Sequence, residues 1–312
     1  MNYPVVKGAS YTLVHAPDMI IHQGTTQTTE RLRNPDSEHL KRLPDHLRSF
    51  EEVVAYPPNQ VYIGNLEPDA LSEIEQPWYK NLTKDADRFG SFGEITPQEE
   101  LYGLMKAVDA FNLVLLEEGF QAQIKEKLSA HPVLGDIKDL EKLDKDPAPL
   151  ENIEKLVADG IAEGMYQNGK LVGCVKRAHE FDPSLTQHVL FENLANKASA
   201  VIALKNLFAK TDLKAEEVDY IIECSEEACG DMNQRGGGNF AKAIGEICGC
   251  INATGSDTRG FCAAPAHALV SAAALAQAGV YENVVVVAGG SCAKLGMNSR
   301  DHMKKDMPVV ED

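Results

Sequence analysis

Gly255-Ser-Asp-Thr-Arg-Gly-Phe-Cys262-Ala-Ala-Pro-Ala-His-Ala-Leu-Val-Ser-Ala-Ala-Ala-Leu-Ala-Gln-Ala-Gly279 runs directly into Val280-Tyr-Glu-Asn-Val-Val-Val-Val-Ala-Gly-Gly290. The segment reads as a short strand, a sharp turn carrying a cysteine, an Ala-rich helix and a buried strand. The helix is signalled by the Ala, Leu and Gln content from Ala263 to Ala278, by Pro265 where a first turn tolerates it, and by Gly279 as the stop. Val284 to Ala288 is continuously apolar and mostly β-branched, which suits a strand covered on both faces in a largely parallel sheet. Small residues on the helix imply close helix-to-sheet packing.

Cys262 therefore falls where a strand hands over to a helix, near the N–H groups and positive dipole end of that helix. A free thiol titrates near ~8.5, and such placement lowers this to roughly 3.5–7.5, giving a nucleophile at neutral pH. The same N–H groups can stabilise the oxyanion formed when a thiolate attacks a carbonyl. The competing reading is a small buried residue in an α/β core. Asp257 and His267 are candidate partners of the thiol. His267, five positions further on, points to another helix face and is expected to pack.

In Asp257, in Cys262 beyond Thr-Arg-Gly-Phe, in the small-residue helix and in the Val-rich strand ending Ala288-Gly-Gly, the chain resembles the nucleophile region of thiolase-fold condensing enzymes, 3-oxoacyl-carrier-protein synthase III in particular. Leu190-Phe-Glu-Asn-Leu-Ala-Asn-Lys-Ala-Ser-Ala-Val-Ile-Ala-Leu204 and Thr211-Asp-Leu-Lys-Ala-Glu-Glu-Val-Asp-Tyr-Ile-Ile222 are similar to that family's preceding helix, acidic turn and strand. A closer resemblance, to the β subunits of component C of glycine/sarcosine/betaine reductase complexes, rests on three strings. These are Tyr11-Thr-Leu-Val-His-Ala-Pro-Asp-Met19, Gly24-Thr-Thr-Gln-Thr-Thr-Glu-Arg31 and Glu223-Cys-Ser-Glu-Glu-Ala-Cys-Gly-Asp-Met-Asn-Gln-Arg-Gly-Gly-Gly-Asn-Phe240.

The resemblance implies an α/β, thiolase-like layered fold, the N-terminal half formed by residues 1–33 and 169–312, with a mostly helical insertion at 34–168. It implies an acyl-transfer enzyme in which a cysteine thioester is carried by Cys262 or by a cysteine of the partner subunit. A carboxymethyl group bound through selenium on component A would become an acetyl group on component C, and phosphate would release it as acetyl phosphate. The implied partners are the α subunit, the selenoprotein component A and phosphate, in a homo- or hetero-oligomer. Condensing enzymes take a His and an Asn from a second similar half, which has no matching positions before Asp312. The expectation is an N-terminal portion of a longer protein, the alternative being a half supplied by another chain. A non-catalytic scaffold subunit with a buried Cys262, or a condensing enzyme using acyl-CoA, are the other functional readings.

The 312 residues, 44% hydrophobic and 25% charged, are those of a globular chain with a sizeable core. Forty-seven acidic against 30 basic residues give a net charge of -17, which argues against nucleic acid or anionic membrane as partner. It also disfavours an acidic acyl carrier protein. The longest apolar region, Ala272 to Gly290, is interrupted by Gln277, Gly279, Glu282 and Asn283, so no transmembrane helix is expected. With no basic start followed by an apolar run, the chain reads as cytoplasmic. Seven cysteines, an odd number, argue for reduced thiols.

Earlier in the chain, Tyr11 to His15, extended or interrupted towards Met19-Ile-Ile21, gives the first strand, which the family would place in its main sheet. His15 and His22 beside it are expected to be packed or solvated. Thr25 onward reads as a loop, then a short exposed helix capped by Ser37. Val61-Tyr-Ile-Gly64 reads as a short strand. Thr96-Pro-Gln-Glu99 opens a helix running to Glu118, with Leu101, Leu104, Met105, Val108, Phe111 and Leu115 on one face. Lys138 to Asp146 alternates in charge, as on a solvated helix face. Gln167-Asn-Gly-Lys170 reads as a hairpin turn, and Asp182 starts a long helix ending near Lys210.

Cys224, Cys229, Cys248, Cys250 and Cys262 raise the question of a metal centre, but their spacing matches neither paired Cys-x2-Cys zinc motifs nor ferredoxin runs. Packing or a substrate-side thiol is the favoured reading for Cys224 and Cys229, and no metal or cofactor is expected. Arg235-Gly-Gly-Gly-Asn239 is either an anion cradle or an entrance loop over the cysteine; it lacks the Lys-Ser/Thr of a P-loop.

Overall fold

The computed structural model describes residues 3–225, 240–290, 293 and 299–311. The described residues form an α/β structure with three three-stranded sheets. They fall into two compact units, one of residues 11–99, 165–171 and 291–312, the other of 1–10, 100–164 and 172–290. Each unit takes part of the stretch 34–168.

In the first unit, β1 (Tyr11–His15) runs parallel to β3 (Gly93–Pro97), and β2 (Phe89–Gly90) pairs antiparallel with β3. The first strand thus lies in a different sheet from the strands around Cys262. It stops at His15 because Pro17 opens helix α1 (Pro17–His22), so Met19-Ile-Ile21 is helical and not a continued strand. Helix α2 (Thr25–Arg33) replaces the expected loop. Its polar sequence is held by tertiary bonds: Arg31 donates to the Ile21 carbonyl at 2.7 Å, Glu30 pairs with Arg300 at 2.6 Å, and the buried Gln27 reaches Ser299.

The helix at Glu38–Arg42 forms, but Ser37 makes no side-chain cap bond. Ser49, unnoticed in the sequence, makes a full capping box with Glu52. Val61 and Tyr62, expected in a strand, finish the helix Pro57–Tyr62, whose first position Pro57 preorganises.

Helix α3 (Gln98–Val108) stops well short of Glu118. The Asp109 carboxylate accepts from Phe111, Leu113 and Val114 N–H at 2.9, 2.5 and 2.8 Å, and Asn112 turns left-handed with φ 54°. That local capping turns the chain into β4 (Val114–Leu116). Phe111, expected on the apolar stripe, is exposed, while Leu101, Leu104, Met105 and Val108 are buried as their spacing predicts.

In the second unit, the run Lys138–Asp144 is a 3-10 turn that buries Leu140 and Leu143 beneath its charges. Strands β5 (Ala162–Gln167) and β6 (Lys170–Lys176) form the expected hairpin, whose tip at residues 165–171 is counted with the first unit, with Asn168 and Gly169 both left-handed as a tight hairpin turn requires. The segment 34–168 therefore holds four strands besides its helices.

The long helix α4 (Gln187–Lys210) buries Leu190, Leu194, Ala198, Val201, Ile202 and Leu204, all predicted to face inward. Strand β7 (Tyr220–Glu223), helix α5 (Phe240–Ile247), strand β8 (Thr254–Asp257), helix α6 (Ala264–Gln277) and strand β9 (Val284–Val287) complete the unit. β7 is central, with β8 and β9 parallel on its two sides. Ile221 faces α5 so closely that a methyl on Gly245 would stand 2.7 Å from its Cδ1. Ile222 and Cys224, on the other face, pack with Ala264 and Ala268 of α6.

β9 passes into Gly289, where an added methyl would lie 1.9 Å from the Asn196 carbonyl oxygen of α4. Only glycine fits there. Gly289→Ala is expected to destabilise the chain by about 1–3 kcal/mol through forced backbone displacement. Denaturant titration checks this; an unchanged midpoint would show that α4 yields freely.

Candidate active site around Cys262

Three parallel strands end together on one side of the β7 sheet, the side on which such sheets place their ligands. β7 delivers Glu223, Cys224 and Ser225 there; β8 delivers Asp257, Thr258 and Arg259. The turn to α6 follows, a 3-10 turn at Phe261–Ala263 that holds Cys262. Phe261 is left-handed at φ 50°, a strained state for a bulky residue, and its ring is 72% exposed.

Cys262 is exposed, so the reading of it as a buried core residue fails. The helix amides nearest it are already engaged: Ala263 N–H donates to the Gly260 carbonyl at 3.1 Å and Ala264 N–H to that of Phe261. An oxyanion on this side would need other donors. His267 is exposed and not packed as expected. Its Cδ2 would lie 3.5 Å from a methyl on Gly260, so the imidazole stands over the turn that carries Cys262.

Asp257 has a structural task. Its carboxylate oxygens accept from Phe240 and Ala241 N–H, each at 3.0 Å, capping α5. The arrangement missed in the sequence is the pair Glu223–Arg259: Nη1 of Arg259 donates to Oε2 of Glu223 at 2.6 Å. The Glu223 side chain is 1% exposed, and its Oε1 accepts from Ser225 N–H at 2.7 Å. Burial pushes the Glu223 carboxyl up, and the bonds from Ser225 and Arg259 partly offset it. Nothing in the sequence marks two residues 36 apart as partners; a charged residue directly after an apolar strand is the only signal.

The remaining described thiols are of another kind. Burial pushes Cys224 up to about 11, with the Glu223 carboxylate adding to it, and pushes Cys250 to about 11 and Cys174 to about 12. Cys248 is raised well above the ordinary thiol value, chiefly by burial. Cys224 Sγ lies 3.6 Å from the Val287 carbonyl and Cys248 Sγ 3.9 Å from that of Val201, as packed thiols do. Cys229, Cys292 and the Arg235 to Asn239 stretch lie outside the described residues. Among the described residues no His, Cys, Asp and Glu cluster has the makings of a metal site, and no helix is long and apolar enough to cross a membrane.

At pH 8 a thiol of pKa 11 is only about one-thousandth thiolate. Iodoacetamide at that pH is expected to alkylate Cys262 well before Cys174, Cys224, Cys248 or Cys250, as read by peptide mass spectrometry. Equal rates at a buried thiol would contradict the burial described.

No protein-family model matches the chain, and no solved structure matches it. The chain is 61% identical over 314 aligned residues to the glycine/sarcosine/betaine reductase complex component C subunit beta of Peptoclostridium acidaminophilum. The match covers 100% of this chain and 61% of that relative, so the chain spans about three-fifths of the relative's length. The likeness to that component C β subunit extends along the whole of this chain.

Proposed function

We propose that this chain is an acyl-transfer subunit of a glycine reductase-type complex, with Cys262 as the thiol that holds the acetyl group. The observation that carries the reading is the exposed Cys262 on a strained turn where a parallel strand meets a helix, in a chain 61% identical to a component C β subunit. Its partners in this reading are the component C α subunit and the selenoprotein component A, in the cytoplasm, and residues 1–33 and 169–312 make up a thiolase-like half around the 34–168 insertion.

The chemistry asked of Cys262 is simple. For the carboxymethyl group held through selenium on component A to reach Sγ as an acetyl group, a dithiol reductant supplies two electrons and two protons, the C–Se bond breaks to a selenol and a methyl group, and the carboxyl loses one oxygen as water as its carbon bonds Sγ. A phosphate oxygen then attacks the thioester carbonyl, the C–S bond breaks, and acetyl phosphate leaves with the thiolate restored. Buried thiols such as Cys224 and Cys250 are poor candidates, because a thiol held near 11 is protonated at neutral pH.

The exchange runs backwards as well, which supplies the test. The assembled complex incubated with radiolabelled acetyl phosphate is expected to place hydroxylamine-labile label on the peptide containing Cys262. Cys262→Ser is expected to lower this labelling by at least about a thousandfold. Label that persists in the variant, or maps to another subunit, would move the thioester elsewhere and leave this chain a scaffold.

A further inference from the structure

We propose that Glu223 and Arg259 are positioning residues for Cys262, the ion pair between them pinning the turn that presents the thiol. The proposal rests on reading Cys262 as the acyl-carrying nucleophile. Phe261 is left-handed immediately before Cys262, and a bulky residue stays in that state only where its surroundings over-determine it. Arg259 is the last side-chain anchor ahead of it. Its Nη1 bonds the buried Glu223 at 2.6 Å, its Nη2 lies 3.6 Å from Asp257 Oδ2, and its guanidinium stands 5.8 Å from the centre of the Phe240 ring.

The main chain makes the same link, since Thr258 N–H donates to the Glu223 carbonyl at 2.7 Å. The end of central strand β7 is thereby fastened twice to the residues that lead into the turn. The ionisable groups around the pair are Asp257 at the end of β8, the buried Cys224 next to Glu223, Lys197 of α4 beside the same Phe240 ring, and His267 of α6 over Gly260. With two carboxylates on one guanidinium, Arg259 has no uncompensated charge to lend the thiol. Its effect is on where the sulfur stands.

That distinction is measurable in the full chain with Arg259→Met, Arg259→Lys and Glu223→Gln. Alkylation of Cys262 by iodoacetamide over about pH 5 to 9 separates the limiting rate, which reports placement, from the midpoint, which reports charge. Arg259→Met is expected to lower the limiting rate about fivefold with the midpoint unmoved, and Arg259→Lys to recover part of it. Hydrogen exchange of the Gly260 to Ala264 amides is expected to accelerate about tenfold in Arg259→Met and Glu223→Gln. If Arg259→Met loses its cooperative melt, Glu223→Gln and Arg259→Lys decide by the same two measurements.

Unchanged exchange in the turn, or a shifted midpoint with an unchanged limiting rate, overturns the proposal. If Cys262 in the unsubstituted chain reacts no faster than a free cysteine peptide, the acyl-transfer reading fails by itself. The exchange comparison then still decides the clamp.

Discussion

Central strand β7 is bonded along both edges to parallel neighbours, and the chemistry of this chain is arranged by that constraint. Parallel strands in register end at one level: Glu223 stands opposite Asp257 on one side and Val287 on the other. Each return to the start of the next strand needs a crossover, and α6 supplies the one between β8 and β9. The helix must begin close to where β8 ends, so the turn leading into it, with Cys262, is delivered to the strand ends.

Close packing is the second requirement. α6 approaches the sheet through Ala264 and Ala268, with Ala272 and Leu275 continuing the row, and α4 approaches the end of β9 until only a glycine fits at 289. Ser199 of α4 accepts a bond from Gly290 N–H at 3.0 Å, and Ser225 accepts one from Gly289 at 2.8 Å. The strand ends are thus bonded to one another and to the helix behind them. A charged group such as Glu223 can be buried here because each of its oxygens has a partner.

The layers around Cys262 were legible in the sequence because their signals are local. A β-branched run, an alanine helix between Pro265 and Gly279, and the buried face of α4 each follow from periodicity within one element. The misread segments failed where a distant bond outweighed local preference. Thr25 to Arg33 is a poor helix by composition, yet Arg31, Glu30 and Gln27 are all engaged elsewhere. The helix expected to reach Glu118 is broken by one carboxylate, Asp109, that accepts from three N–H groups of the next five residues, and its apolar pattern carried straight on through Phe111. The same rule hid the Glu223–Arg259 pair, since a salt bridge between strand ends leaves no periodic trace. The position of Cys262 between strand and helix was legible because turn, helix and strand all mark it; its exposure was not, because burial depends on what covers a helix and not on the helix.

Asp18 shows what long separations mean for a chain made from one end. Its carboxylate accepts from Asn168 and Gly169 N–H at 2.8 and 2.7 Å, closing the turn between β5 and β6 from 150 residues away. Glu311, its side chain fully buried, bonds Arg48 at 3.0 Å across 263 residues. The segment that holds Asp18 and Arg48 leaves the ribosome long before either partner exists. Until then its carboxylate and guanidinium remain hydrated, and the early segment gains its final order only when late-made residues dock. Vectorial synthesis therefore runs against the order in which this unit can be completed.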